Sequence, residues 1–311
     1  MSKSTVKYQF ILHTIVLVWG VTGILGDRID LPSIHLDFFL SKFGISSKIV
    51  FFRTGIALAS LLLVGLFLKN TGKISLNKIL LIIGVGCIVG LHWIAFFYAI
   101  KISTVSIGVV CMSMSTLFTS FLEPLIFKRK IQISEIIISI FILLGIIIIF
   151  GFESQYKWGI ISGLISAFLA ALFTVINGKL IKTTNSFNIT KFEMLGAFSV
   201  ASMAILLNGE ANPDLLFIST ANWIYLGILG VACTTLAFLL SVWVMKFVSP
   251  FTVSISINME PIYTIIIAII LNPFKEKMST GFYVGGLIII LSIFTNAYLK
   301  KIKRKKLTIS N

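Results

Sequence analysis

Long apolar segments alternate with short polar connections along the chain, and this alternation predicts its secondary structure. Each apolar segment is close to the ~20 residues that an α-helix needs to cross the hydrocarbon core of a bilayer. We therefore predict an all-α integral membrane protein with ten transmembrane helices. Their approximate bounds are 8–26, 47–68, 78–100, 103–127, 133–151, 157–180, 189–208, 221–244, 250–272 and 280–299.

The longest connection covers residues 27–48 and lies between the first and second predicted helices. It mixes charged residues such as Asp37 and Lys42 with the apolar pair Phe38 and Phe39. Two interpretations remain open, a structural flap or a short amphipathic helix on the outer surface. The other connections are short, so the sequence predicts no separate soluble domain.

Composition supports the membrane assignment. The chain is 57% hydrophobic and only 12% charged, whereas soluble domains carry about 25% charged residues. A net charge of +15 would suit a nucleic-acid partner. The cations, however, cluster in short loops and at the C-terminus, which indicates membrane topology instead. We predict the lipid bilayer as a partner and no nucleic acid. The three cysteines lie inside apolar segments, which predicts neither disulfides nor a zinc site.

The distribution of positive charge predicts the orientation. With both termini in the cytoplasm, eighteen of the 26 lysines and arginines lie on the cytoplasmic side, including those of a basic tail at 300–311. Seven lie outside, and Arg53 lies within a predicted helix. Because cytoplasmic loops carry the excess of Lys and Arg in membrane proteins, this orientation is favoured.

Two stretches resemble each other and indicate an internal duplication. Residues 101–119 align with 246–264 at a constant shift of 145, so that a lysine, a methionine and a threonine coincide. The halves would be 8–151 and 157–299, each with five helices. Five is an odd number, so the second half must be inverted in the membrane. Inverted repeats are an architecture of secondary transporters.

Glu260 is the leading candidate for a functional residue, because it precedes Pro261 in the middle of the ninth predicted helix. A carboxylate at that depth is costly unless it faces protein or a water-filled cavity. It could bind substrate or carry a proton, or it could only cap a helix kinked by the proline. Asn258 and Ser256 lie on adjoining faces and could supply oxygen ligands, with sodium as the weaker alternative for ion coupling.

Arg53 and His92 are further ionisable residues within predicted helices. Arg53 could bind a carboxylate or phosphate of a substrate. It could also pair permanently with an acidic side chain, or extend its head group to the membrane surface. His92 could relay protons, or form a hydrogen bond to a neighbouring helix.

Polar and aromatic residues inside other helices are candidates for a cavity wall. Ser113 and Thr116 belong to a polar stripe on the fourth predicted helix, which could line a pathway or join helices. Trp19, Trp93 and Trp243 lie within helices rather than at their ends and could line a cavity.

A ridge of small residues, formed by Gly159, Gly163, Ala167 and Ala170, predicts close helix packing within the chain, with a weak homodimer as the alternative. The sequence has no metal-spaced His/Asp/Glu cluster, no phosphate-binding glycine loop and no paired serine and histidine. We therefore predict no metal, no cofactor and no enzymatic activity.

One segment carries a family resemblance. The stretch LGILGVACTTLAFLLSVWVMKFVSPFTVSISINMEPIYTIIIAII starts a helix with glycines, turns at a cation and Ser-Pro, and places Glu-Pro inside the next helix. Together with Arg53 in FFRTGIALASLLL, it resembles the EamA-type branch of the drug/metabolite transporter superfamily. The chain departs from that pattern at Thr116, where the first half of these proteins usually has a proline.

The resemblance implies a multi-pass protein of the bacterial cytoplasmic membrane whose fifth and tenth helices are peripheral. It also implies a secondary transporter for a small organic solute, such as an amino acid or related metabolite, moved outward by alternating access. Two alternatives remain, an exporter of lipophilic drugs with the same fold and a membrane protein that transports nothing.

Overall fold

The computed structural model describes residues 3–68, 72, 74–271, 274, 276–292 and 295, and the predicted basic tail lies outside them. Helices dominate because a backbone in lipid must satisfy its own polar groups. They are α1 Lys3–Arg28, α2 Phe38–Phe67, α3 Leu76–Ile102, α4 Val105–Cys111, α5 Ser115–Phe127, α6 Ile133–Phe152, α7 Lys157–Leu180, α8 Ser186–Leu207, α9 Thr220–Ile228, α10 Ala237–Val244, α11 Pro250–Ile257, α12 Glu260–Leu271 and α13 Thr280–Ser292.

Within the described ranges, nine helical segments are long and apolar enough to cross a membrane. Three of them are composite: α4 with α5, α9 with α10, and α11 with α12. The tenth predicted helix is described only as the shorter α13, and the rest of its predicted range falls mostly outside the described residues. The all-helical membrane fold is thus confirmed, and the count of ten remains a prediction.

The predicted long connection 27–48 is wrong in its bounds. Helix α1 continues to Arg28 and α2 already begins at Phe38, so the connection is 29–37. The side chain of Asp37 accepts a hydrogen bond from Leu40 N at 2.9 Å and caps the N-terminus of α2. The charged residues after Asp37, Lys42 and Lys48, belong to helix α2. Lys48 can be buried there because it pairs with Glu210, 2.7 Å away.

Two of the composite helices are broken near their middle. A short 3-10 turn, Met112–Met114, separates α4 from α5, and a turn at Asn258 separates α11 from α12. Pro261 has no backbone N–H, so it fits the first turn of a helix, where that donor would have no partner. The kink expected at Glu-Pro is therefore present.

The two broken helices pack against each other in antiparallel fashion, α4 on α12 and α5 on α11. Hydrogen bonds join α5 to α11 and to the turn that follows it. The hydroxyls of Thr119 and Ser254 are 2.9 Å apart, and Asn258 Nδ2 donates to Thr116 Oγ1 at 3.0 Å.

Each broken helix is capped by a carboxylate from the other half of the chain. Glu276 accepts hydrogen bonds from Val105 N at 3.1 Å and Ser106 N at 3.0 Å, at the start of α4. Glu123 accepts from Phe251 N at 2.7 Å, at the start of α11. Carboxylates are favourable there, because a helix N-terminus has free N–H groups and positive potential.

Small residues allow other helices to approach closely. A Cβ on Gly86 of α3 would lie 2.6 Å from the Cα of Glu193, so α3 and α8 touch backbone to backbone. Gly159 and Gly163, from the predicted ridge, face Ser103 and Cys111 of the same chain. These two glycines are therefore used in packing within the chain.

Candidate functional site

A cavity lies between the two halves. Helices α1, α2, α3, α7, α10, α11 and α12 and the turn before α5 contribute to its wall. The wall is mostly aromatic and aliphatic, with a few polar groups. It is lined by Trp19, Thr22, Arg53, His92, Trp93, Phe96, Met112, Ala170, Phe173, Thr174, Asn177, Phe238, Ser241, Met245, Val253, Ile257 and Glu260.

Arg53 lies at the midpoint of α2 and is 1% exposed. Its Nε and Nη2 both donate to Thr234 Oγ1, at 3.0 and 2.8 Å. The guanidinium carbon is 4.2 Å from the ring centroid of Trp93, a cation–π contact. Nη1 is buried without a hydrogen-bond partner. Among the described residues no carboxylate pairs with Arg53. Neither the permanent acidic partner nor extension to the surface is observed.

The π-helical segment Leu229–Leu236 between α9 and α10 positions the acceptor for Arg53. Its wider turns let Thr234 Oγ1 donate to the carbonyl of Leu229, five residues back, at 2.6 Å. The hydroxyl proton is thereby used, and the oxygen accepts from the guanidinium. Such π-helical turns are often found at functional sites.

Glu260 is the first residue of α12 and lines the same cavity, where it is buried. In the described part of the chain its carboxyl group has no hydrogen-bond or ion-pair partner. The side chain does not cap a neighbouring helix. The cavity therefore contains a guanidinium and a carboxyl group that are not bonded to each other.

His92 bonds to the neighbouring helix α7. Its Nδ1 is 2.9 Å from the carbonyl oxygen of Ser166 and 2.8 Å from its hydroxyl. The same hydroxyl lies 3.0 Å from the carbonyl oxygen of His92. Of the two alternatives from the sequence, the structural hydrogen bond is the one observed.

Two of the three candidate tryptophans line the cavity. Trp93 supports the guanidinium, and Trp19 Nε1 donates to the carbonyl of Cys233 at 3.1 Å. The expectation for Trp243 is wrong. It packs against Tyr8 and Phe247, with ring centroids 5.7 and 5.1 Å away, because its face of α10 is directed at the start of α1.

The remaining candidates lie in helix contacts rather than in this cavity. Ser256 Oγ donates to the carbonyl of Thr252 in its own helix at 2.9 Å, and Asn258 is bonded to Thr116. Ser113 is buried, and its hydroxyl has no partner. Among the described residues, Ser256 Oγ is thus bonded within its own helix, and Asn258 Oδ1 is buried without a hydrogen-bond partner.

The sequence interpretation missed two residues of this region. Asn177 lines the cavity near the end of α7, and its Nδ2 donates to Glu193 Oε2 at 3.3 Å. Glu193 is 0% exposed. Asn177 could have been identified from the sequence, because it is an asparagine inside an apolar helix. Glu193 lies early in its helix, where acidic residues are ordinarily solvated, and its backbone packs closely against Gly86 of α3.

Comparison with known proteins gives a consistent assignment. The model of the EamA-like transporter family matches the chain twice, at residues 7–151 and 157–298. GDP-fucose transporter 1 of Dictyostelium discoideum is 26% identical over 195 residues, 58% of this chain, and the chain covers only 52% of its length. The uncharacterized transporter YxxF of Bacillus subtilis (strain 168) is 23% identical over 286 residues, 89% of this chain and 85% of the relative.

The fold is also similar to a solved structure named only "Crystal structure of protein", with a TM-score of 0.63 and 14% identity. The similarity covers 94% of this chain and 98% of that one, and at this identity it shows the fold alone. The expectation of a multi-pass protein of a bacterial cell membrane agrees with the family and with the Bacillus relative. The family model covers both halves, and the chain therefore belongs to the EamA-like transporter family.

Proposed function

We propose that this membrane transporter moves a small anionic or zwitterionic organic solute, such as an amino acid or related metabolite, out of the cell by alternating access. The proposal includes two inverted repeats of five helices with both termini in the cytoplasm. It is supported by the two matches to one family model and by the antiparallel packing of the two broken helices. Transporters built this way bind their substrates between the repeats, near the membrane midplane.

The proposed substrate class rests on the burial and hydrogen bonding of Arg53. A buried guanidinium with an unused donor, and with no carboxylate partner among the described residues, favours an anionic group in the cavity. Its aromatic support and its bonds to Thr234 hold it in one orientation before any solute arrives. Preorganisation of this kind lowers the entropic cost of binding.

Glu260 is the proposed ion-coupling residue of the cavity. Low dielectric disfavours its charged form, so a proton could be loaded and unloaded as access alternates. Glu260→Gln keeps the shape of the side chain but cannot ionise. We expect this variant to lose accumulation driven by a pH gradient and to retain solute exchange. Normal accumulation by the variant would assign Glu260 a structural role only.

The test is solute flux in proteoliposomes, with a panel of amino acids, other organic acids and lipophilic cations. Arg53→Gln should abolish flux of the anionic and zwitterionic solutes. The five aromatic side chains of the wall favour one rival, an exporter of lipophilic compounds. Flux of lipophilic cations alone would establish that rival. Absence of flux with every solute, beside a measured reaction on lipid or protein, would support a non-transporting protein.

A further inference from the structure

A buried polar pair lies beside the cavity and takes no part in the substrate contacts described above. Asn177 Nδ2 donates to Glu193 Oε2 at 3.3 Å. The other two oxygen atoms of the pair, Asn177 Oδ1 and Glu193 Oε1, are both buried and have no hydrogen-bond partner among the described residues. Both are acceptors in an ionised carboxylate–amide pair, so neither can satisfy the other.

A single proton on Glu193 would give both unpartnered oxygen atoms a hydrogen bond. On Glu193 Oε1 it converts an acceptor into a donor, and the unpartnered acceptor on the facing amide is Asn177 Oδ1. The neutral carboxylic acid and the amide then exchange two hydrogen bonds, each group donating once and accepting once. An ionised Glu193 would instead be a fully buried charge without a cation, which is strongly unfavourable.

In the part of the chain that the structure describes, no cation pairs with Glu193. Elements α2, α3, α7 and α10 surround Glu193 on α8. Helix α10 has no titratable side chain. Those of α2, α3 and α7, together with the one other such residue on α8, are Lys42, Lys48, Arg53, Lys78, Cys87, His92, Tyr98, Lys101, Lys157, Lys179 and Lys191. None of them forms an ion pair or hydrogen bond with Glu193 in the described ranges.

The more central of these groups have other partners. Arg53 is bonded to Thr234, His92 to Ser166, and the ammonium of Lys191 lies 4.6 Å from the ring centroid of Phe192. Cys87 on α3 is half-buried.

We propose that Glu193 and Asn177 form a proton-binding site, distinct from Glu260, that exchanges its proton with water in the cavity. Asn177 lines that cavity and is the positioning residue, and Glu193 Oε1 forms and breaks the O–H bond. Water delivers the proton and takes it back. The pair lies at the end of α7 and in the second turn of α8, next to the connection expected in the cytoplasm. Its part in coupling rests on the proposed function, whereas the proton site itself does not.

Infrared difference spectroscopy of the full chain in lipid vesicles tests the site without any substrate, with pH as the only variable. A protonated carboxyl group has a carbonyl stretch that disappears on ionisation. We expect the Glu193 contribution to this absorption to titrate in the wild type and in Glu260→Gln. In Glu193→Gln that contribution should be missing, and only a contribution from Glu260 should remain. The glutamine fits the fold, because its amide can donate to Asn177 Oδ1 and accept from Nδ2 as the neutral acid does.

Asn177→Leu provides a second, independent measurement. It should keep the Glu193 band but shift it to the frequency of a carboxyl group without hydrogen bonds. An unshifted band would overturn the pairing. A band that persists through the whole accessible pH range, or one missing at every pH, would overturn proton exchange. Loss of the band on adding sodium at constant pH would assign the site to a metal cation instead.

Transport then separates this proposal from the one it extends. If the wild type accumulates solute under a pH gradient, Glu193→Gln should lose accumulation and keep exchange. Full accumulation by that variant would refute the coupling role of Glu193 while leaving the transporter assignment intact. No flux in the wild type would refute the proposed function and leave the infrared result to stand by itself.

Discussion

The ion pair between Lys48 and Glu210 offers a quantitative test of how the connection before α2 is held to the rest of the protein. Lys48 Nζ lies 2.7 Å from Glu210 Oε2 and 2.7 Å from the carbonyl oxygen of Pro32, and both charged side chains are buried. The hydroxyl of Ser33 and the backbone N–H of Ile34, at 3.4 Å, also donate to Glu210. The connection 29–37 is thereby tied to the end of α8.

Replacing Lys48 by methionine keeps most of the side-chain volume and leaves the carboxylate of Glu210 buried without its cation. Removing one partner of a buried ion pair costs roughly 3–5 kcal/mol. At about 2–4 °C per kcal/mol, the midpoint of thermal unfolding should fall by roughly 6–20 °C. Tryptophan fluorescence of the purified protein in detergent measures this midpoint.

The pH dependence has a definite sign. Burial raises the pKa of Glu210, but the hydrogen bonds from Lys48 and Ser33, the charge of Lys48 and the N–H of Ile34 outweigh it and lower the pKa below its ordinary value of 4.5. A carboxyl group with a lowered pKa stabilises the fold above its unfolded-state pKa, and this stabilisation is lost as the pH falls through the folded-state value. Wild type should therefore lose stability on acidification. On acidification, Lys48→Met should gain stability relative to wild type, because protonation of Glu210 removes its unpaired charge.

Two controls keep the test specific. Lys42→Met, on the same helix, removes a half-buried lysine that lies 5.7 Å from the ring centroid of Phe38, and should change stability by no more than about 0.5 kcal/mol. The double variant Lys48→Met with Glu210→Gln should recover most of the loss, because no charge is left buried. If Lys48→Met alone unfolds within about 1 °C of wild type, well below the shift expected for a buried pair, the reasoning is refuted.

Three further predictions address packing, capping and topology. Gly86→Ala should cost about 1–3 kcal/mol, because its Cβ would collide with the α8 backbone. Gly84→Ala is the matched control, since nothing lies within 4 Å of its Cβ, and it should be neutral or gain up to ~1 kcal/mol; equal effects would contradict the close contact. Glu276→Ala should cost roughly 0.5–2 kcal/mol in the same assay, as loss of a helix cap does, and an unchanged midpoint would show that water replaces it. Cysteine at Ser154 should react with an impermeant reagent from outside, and cysteine at Ser75 only after permeabilisation; the reverse labelling would invert the proposed topology.

Hydropathy was sufficient to predict most of the helices, because bilayer thickness fixes how long an apolar segment must be. It failed at the start of α2, where Lys42 and Lys48 made a helical stretch resemble a polar loop. The partner that makes Lys48 compatible with burial is Glu210, 162 residues further along the chain. No local pattern contains that information.

The candidate site was predictable in part for the same reason. Arg53 and Glu260 stand out as charges inside apolar segments, and both line the cavity. Trp243 and Ser256 carry the right chemistry but lie on other faces of their helices, which depends on how each helix is rotated in the bundle. Glu193 shows the opposite error, because its burial follows from how α8 packs against other helices, including the close backbone contact with Gly86.

The exchange of caps between the two broken helices also constrains how the chain can be made. During synthesis α4 leaves the ribosome long before Glu276 exists, since the capped N–H of Val105 precedes its acceptor by 171 residues. Until that carboxylate is translated, the start of α4 must rely on water, lipid head groups or the insertion machinery. The start of α4 therefore acquires its final cap only after most of the second half has been translated.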